Sequence, residues 1–169
     1  MIQQFDHLPK YSWNAKKVGH YQGKSEAINQ LFKNIPEQNV VSWTRMIVVY
    51  AQHGYEEEAL KLFFQMKNES MQIGPLIFST ALTACVSLLA LELGKRVHNN
   101  IVIDGFELDV FFSCSLDDMY VKCGSIEDAH DLFDKLPMGD VVSWNLMIIG
   151  YAHHGNRNEA LDLFEQMKR

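Results

Sequence analysis

Basic residues are in short supply. The chain has 15 lysines and arginines against 21 aspartates and glutamates, a formal net charge of −6. Indiscriminate nucleic-acid binding draws its affinity from cationic side chains neutralising phosphates, so this balance argues against it. Cysteine is scarce too. Cys85, Cys114 and Cys123 form an odd set without C-x-x-C spacing, which suggests neither a disulfide framework nor a zinc cage and leaves a reducing compartment as the default. Only 4 prolines and 10 glycines occur in 169 residues, and no continuous apolar run approaches the roughly 18 residues of a membrane span. The opening MIQQFDHLPKYSWN carries neither the apolar core of a secretory signal nor the Arg/Ser-rich, acid-poor character of an organellar transit peptide. G-x-S-x-G, P-loop and Gly-rich dinucleotide fingerprints are missing, so no catalytic residue, metal or cofactor is expected. What is present, 47% apolar and 21% charged residues, is the composition of a folded globular chain.

One phrase is nearly written twice. VVSWTRMIVVYAQHG starts at Val40 and VVSWNLMIIGYAHHG at Val141; aligned without a gap over Val40 to Lys67, the two stretches agree at 18 of 28 places. An offset of 101 residues is too long for one repeat of a solenoid, so shorter units must lie between. Helical spacing finds them. Trp43, Met46, Ile47 and Tyr50 recur at i, i+3, i+4, i+7, the chain breaks at Gly54, and Ala59, Leu62, Phe63 and Met66 resume the pattern. That is a helical hairpin, with Glu56, Glu57 and Glu58 supplying a cap for the second helix. Phe78, Ala81, Leu82 and Cys85 pair likewise with Gly94, Val97, His98 and Ile101. Leu116 to Tyr120 is followed by a break at Gly124 and then Ala129, Leu132, Phe133 and Leu136. Trp144, Met147, Ile148 and Tyr151 precede Ala160, Leu163, Phe164 and Met167. The units are 40–74, 75–109 and 110–140, then a partial 141–169, behind a short, degenerate 1–39. Their lengths of 35, 35 and 31 residues account for the offset of 101.

Units of these lengths carrying VVSWN-x-MI-x-GYA, ALELG-x-x-VH, MY-x-KCGS-I-x-DA and FD-x-LP resemble pentatricopeptide repeat proteins of the plant PLS subclass. Tetratricopeptide repeats fit less well, because their period is a constant 34 residues with a W-x-x-L-G-x-x-Y pattern. The resemblance implies an all-α fold, a right-handed α-solenoid of about five hairpins whose first helices line the concave face. It also implies single-stranded RNA read about one base per unit. The reading positions follow the tryptophan slot and close each unit. On this chain they pair Asn14 with Asn39, Thr44 with Gly74, Ser79 with Asp109, Cys114 with Asp140, and leave Asn145 without its partner. Family rules suggest C for the first pair, a purine for Thr44, weakly G for the third and a pyrimidine for Asn145. Gly74 and Cys114 depart from the usual polar choices, so their slots should discriminate poorly.

Many PLS arrays end in a deaminase-like domain, whose zinc needs H-x-E and P-C-x-x-C; the chain contains neither motif. The expected function is therefore the specificity part of organellar RNA processing or C-to-U editing, in mitochondrion or chloroplast, alongside editing or processing proteins. A protein-interaction scaffold or a decayed array is the rival reading. Missing end caps favour a piece of a longer array, and open apolar ends would favour self-association. Acids crowd the second helices, with Asp117 and Asp118 alone on the first, so weak RNA affinity with a shallow salt dependence is expected. His153 and His154 read as a helix end, since neighbours on a helix point about 100° apart. His98 reads as a satisfied core histidine. Trp13, Trp43 and Trp144 read as packing between hairpins. Asp117 falls in an apolar slot, where a carboxylate is costly. Lys16 and Lys17 do the same in the first unit, which should exchange its amides faster than the rest.

Overall fold

The computed structural model describes residues 30, 34, 39–106, 110–135 and 141–168. The chain divides into two compact units, 1–38 and 39–169. The described residues of the second unit form eight helices and no strand: α1 Val40–Gln52, α2 Glu56–Asn68, α3 Pro75–Leu88, α4 Leu91–Ile103, α5 Val110–Lys122, α6 Ile126–Phe133, α7 Val141–His153 and α8 Arg157–Met167. No helix among them is long and apolar enough to cross a membrane. The sequence expectations for Trp13, Lys16 and Lys17 lie outside the described residues.

Local chemistry sets each hairpin. Asn39 Oδ1 accepts from the backbone N–H groups of Val41 and Ser42 at 3.1 Å, and Ser42 Oγ accepts from the Asn39 N–H at 3.0 Å. This reciprocal cap satisfies donors that the first turn of α1 would otherwise leave orphaned. At the other end Gly54 adopts φ +76°. The N–H of Tyr55 then reaches the Tyr50 carbonyl at 2.9 Å and that of Gly54 reaches Ala51 at 3.2 Å, the paired bonds of a Schellman turn. The same two bonds close α5 onto α6 and α7 onto α8. Between α3 and α4 the left-handed position is held by Leu89, at φ +50°. The acidic triplet corrects one expectation: Glu56, Glu57 and Glu58 occupy the first turn of α2, where they favour the helix dipole, but the capping residue is Tyr55 and no side chain caps that helix.

Packing is layered. Each first helix packs against its own second helix, and α1, α3, α5 and α7 pack in succession, whereas the backbones of second helices approach only first helices and reach one another through long side chains. First helices therefore stand closer together than second helices, which curves the array with the first helices on the inside. Edge-to-face aromatic contacts run through the hairpins: Phe63 meets Phe64 and Phe78 at centroid separations of 5.0 and 5.7 Å, Phe78 meets Phe112 at 6.1 Å, and Phe133 meets Trp144 at 4.8 Å. Trp43 is buried, in accord with a packing role. Asp117 is completely buried among sister positions held by Ile47 and Leu82. Across the outer layer Lys67 pairs with Asp104, and Lys95 pairs with Asp128 at 2.8 Å.

Candidate nucleic-acid interface

The inner surface is built from equivalent turns of the first helices. At about 100° per residue, a fully buried edge of α1 runs through Trp43, Ile47 and Tyr50, and the opposite edge exposes Val41, Arg45 and Gln52. Thr44 falls between them, roughly 60° from Val41. Its counterparts Ser79 and Cys114 are, like Thr44, half-buried, and Asn145 is exposed. The neighbour that narrows these slots is the following first helix. Cys114 Sγ lies 3.6 Å from Ser143 Oγ of α7, while no first helix follows α7 among the described residues. Thr44, Ser79, Cys114 and Asn145 thus share one helical register, and the contact at Cys114 places that register at the seam between consecutive first helices.

Hydrogen bonds already made restrict what each slot can offer. Thr44 Oγ1 donates to the Val40 carbonyl at 2.6 Å and Ser79 Oγ donates to Leu76 at 3.0 Å. Both hydroxyl protons are spent on the helix, and the oxygen lone pairs are what remains for an incoming N–H. Asn39, a closing position, caps α1 with its carbonyl oxygen and keeps its amide N–H₂ to donate. Gly74 is the corresponding residue before α3 and has no side chain to cap with or to read with. Asn14, Asp109 and Asp140 lie outside the described residues.

A second row was missed in the sequence. Val41, Leu76 and Val142 occupy the same position in the first turns of α1, α3 and α7, and are 59%, 58% and 54% exposed. Their signal was the doublet at Val40–Val41 and Val141–Val142: adjacent helical residues point about 100° apart and cannot both enter one core. Together with the slots they line the groove with an apolar surface beside a hydrogen-bonding group.

Groups that could carry other chemistry are accounted for structurally. Burial, and then the neighbouring Cys123, pushes the Cys85 thiol up to about 12, and burial, then Asp118, raises that of Cys123; neither is poised as a nucleophile. His98 Nδ1 lies 2.8 Å from the Tyr120 hydroxyl, the satisfied histidine the sequence suggested, and burial with the Asp128 charge pushes that phenol up to about 12. His154 Nε2 lies 3.1 Å from the Val121 carbonyl, tying one hairpin turn to the previous hairpin. No group of three or more potential metal ligands occurs among the described residues.

Comparison with known proteins agrees with this geometry. The PPR repeat family model matches residues 41–71, 114–140 and 142–169. A pentatricopeptide repeat-containing protein of Arabidopsis thaliana is 44% identical over 136 residues, 80% of this chain and 19% of that protein. Two others from the same plant, one named mitochondrial and one chloroplastic, are 40% and 37% identical, each over 86% of this chain and 21% of their own length. The chain thus spans about a fifth of the length of these relatives. The crystal structure of the maize pentatricopeptide repeat protein PPR10 superposes with a TM-score of 0.67 over 90% of this chain and 22% of that one, at 17% identity, a likeness of fold. Stacked hairpins, inner first helices and the matched repeats together establish that the chain belongs to the pentatricopeptide repeat family.

Proposed function

We propose that the chain is a sequence-selective module for single-stranded RNA, built from units 40–74, 75–109, 110–140 and 141–169 behind a degenerate 1–39. It serves as the non-catalytic specificity part of organellar RNA processing or C-to-U editing. The observation that carries this reading is the common register of Thr44, Ser79, Cys114 and Asn145 on successive first helices. A row of short polar groups beside exposed aliphatic ones suits unpaired bases, which present a flat apolar face and a hydrogen-bonding edge at once. Family membership supports it further, since pentatricopeptide repeats read about one base per unit. The mitochondrial and chloroplastic names among the relatives favour an organelle, and the alternating unit lengths favour the PLS subclass.

In each unit a slot residue works with the residue that closes the unit: Asn14 with Asn39, Thr44 with Gly74, Ser79 with Asp109, Cys114 with Asp140, and Asn145. The bonds at Thr44 and Ser79 make both slots acceptors, suited to the N–H donors on a base edge. The thiol at Cys114, turned against Ser143, discriminates least. Selection from a randomised pool of short single-stranded RNA, read by sequencing, tests the reading with Thr44→Ala and Asn145→Ala as companions. Each substitution should relax preference at one nucleotide and leave the others unchanged. Enrichment that ignores both would instead favour a protein scaffold.

A further inference from the structure

The groove floor is nearly free of charge. On the exposed faces of α1, α3, α5 and α7 the ionised side chains among the described residues are Arg45, Asp118 and Lys122. Lys122 Nζ bonds Asp118 at 2.8 Å, so that pair cancels. Arg45 is left as the net charge of the floor. It is exposed, adjoins the Thr44 slot, and stands one turn from both Val41 and Val48, at i−4 and i+3. The sister positions hold Thr80, Ser115 and Leu146, none of which can replace its charge.

We propose that Arg45 is a phosphodiester anchor: its guanidinium grips the backbone of the RNA strand beside the Thr44 slot and fixes the strand's register there. This inference rests on the RNA-binding reading and adds to it a backbone contact that none of the slot residues supplies. A guanidinium presents a planar fork matched to two phosphate oxygens. Val41 and Val48, its neighbours one turn away on the same helix, are uncharged and leave the guanidinium without a competing carboxylate on α1. Contacts to phosphate position a strand without reading it, so Arg45 should set affinity and register evenly across sequences.

The test measures the affinity of the whole chain for a fluorescein-labelled random single-stranded RNA pool by anisotropy across a salt series. One neutralised phosphate on a single strand gives a log–log slope of about −0.7, a roughly 2.6-fold loss for a fourfold rise in salt. Wild type should show about this slope. Arg45→Gln should flatten it towards zero and weaken low-salt binding about two- to fivefold, with the sequence preference unchanged. Lys122→Gln should leave the slope no shallower, because its charge is already taken by Asp118. An unchanged slope in Arg45→Gln, with circular dichroism showing the variant folded, overturns the anchor while leaving the RNA reading intact. No RNA binding by the wild type, at any salt, overturns both. Loss of binding to a polyaspartate peptide but not to RNA in Arg45→Gln would overturn the anchor in favour of an acidic protein partner.

Discussion

Single side chains decide the hairpin ends. Leu89 holds a left-handed conformation that costs an L-residue about 1–2 kcal/mol, partly offset because glycine loses more backbone freedom on folding. Since the Leu89 side chain is exposed and little packing is lost, Leu89→Gly should stabilise the fold by about 0.5–1 kcal/mol, read as a rise in urea midpoint. The reverse is expected at Asn39, whose side chain satisfies two backbone donors of α1. Asn39→Ala should cost about 1 kcal/mol, and Asn39→Asp, which preserves the acceptor, should recover most of it. These ends were legible where glycine marks them, as at Gly54 and Gly124. Leu89 carried no such mark, because only the geometry of the turn assigns it a positive φ.

Between elements, small residues and ion pairs set the spacing. A Cβ on Gly150 of α7 would stand 2.9 Å from Val121 Cγ1 and 3.0 Å from Ile126 Cδ1, closer than carbon atoms sit in a packed core. Gly150→Ala should therefore destabilise by about 1–2 kcal/mol, although alanine is the better helix former by about 1 kcal/mol; a raised thermal midpoint would contradict the close approach. On the outer layer, hydrogen bonds from Lys95 and Ser125 hold the Asp128 carboxyl below its ordinary value. The folded-state value is depressed, so this contribution is complete above about pH 4 and fades as acid protonates the carboxylate. Wild type should lose melting temperature in acid more steeply than Asp128→Asn. Equal slopes would show that the link between α4 and α6 contributes nothing. In sequence Lys95 and Asp128 are ordinary surface charges of two different units, and only the stacking of hairpins makes them neighbours.

At the scale of the whole array, identical residues have different fates. Leu60 is 1% exposed and its counterpart Leu161 is 62% exposed; Phe63 is 0% and Phe164 is 43%. The helices α2 and α8 read alike, but α3 covers α2, and no described helix covers the same face of α8. Phe63→Ala should cost about 3–5 kcal/mol, whereas Phe164→Ala should cost about 1 kcal/mol or less, compared as unfolding free energies in urea. If both cost the same, that face of α8 is covered in solution, as association through an open end would require. Acid follows the same layering: the described first helices carry only Asp117 and Asp118, so the outer layer holds most of the negative charge.

Periodicity alone fixed the helices, their pairing into hairpins and most of the buried set, because apolar spacing of 3.6 residues is a local property that each segment states for itself. The slots one position after Trp43 and Trp144 came instead from the family resemblance, not from spacing. Exposure of Val41, Leu76 and Val142, the isolation of Arg45 once Asp118 and Lys122 pair with each other, and the contrast between Phe63 and Phe164 depend on which helix lies against which. That information is held in no single segment, since burial belongs to a pair of surfaces and the sequence writes down only one of them at a time.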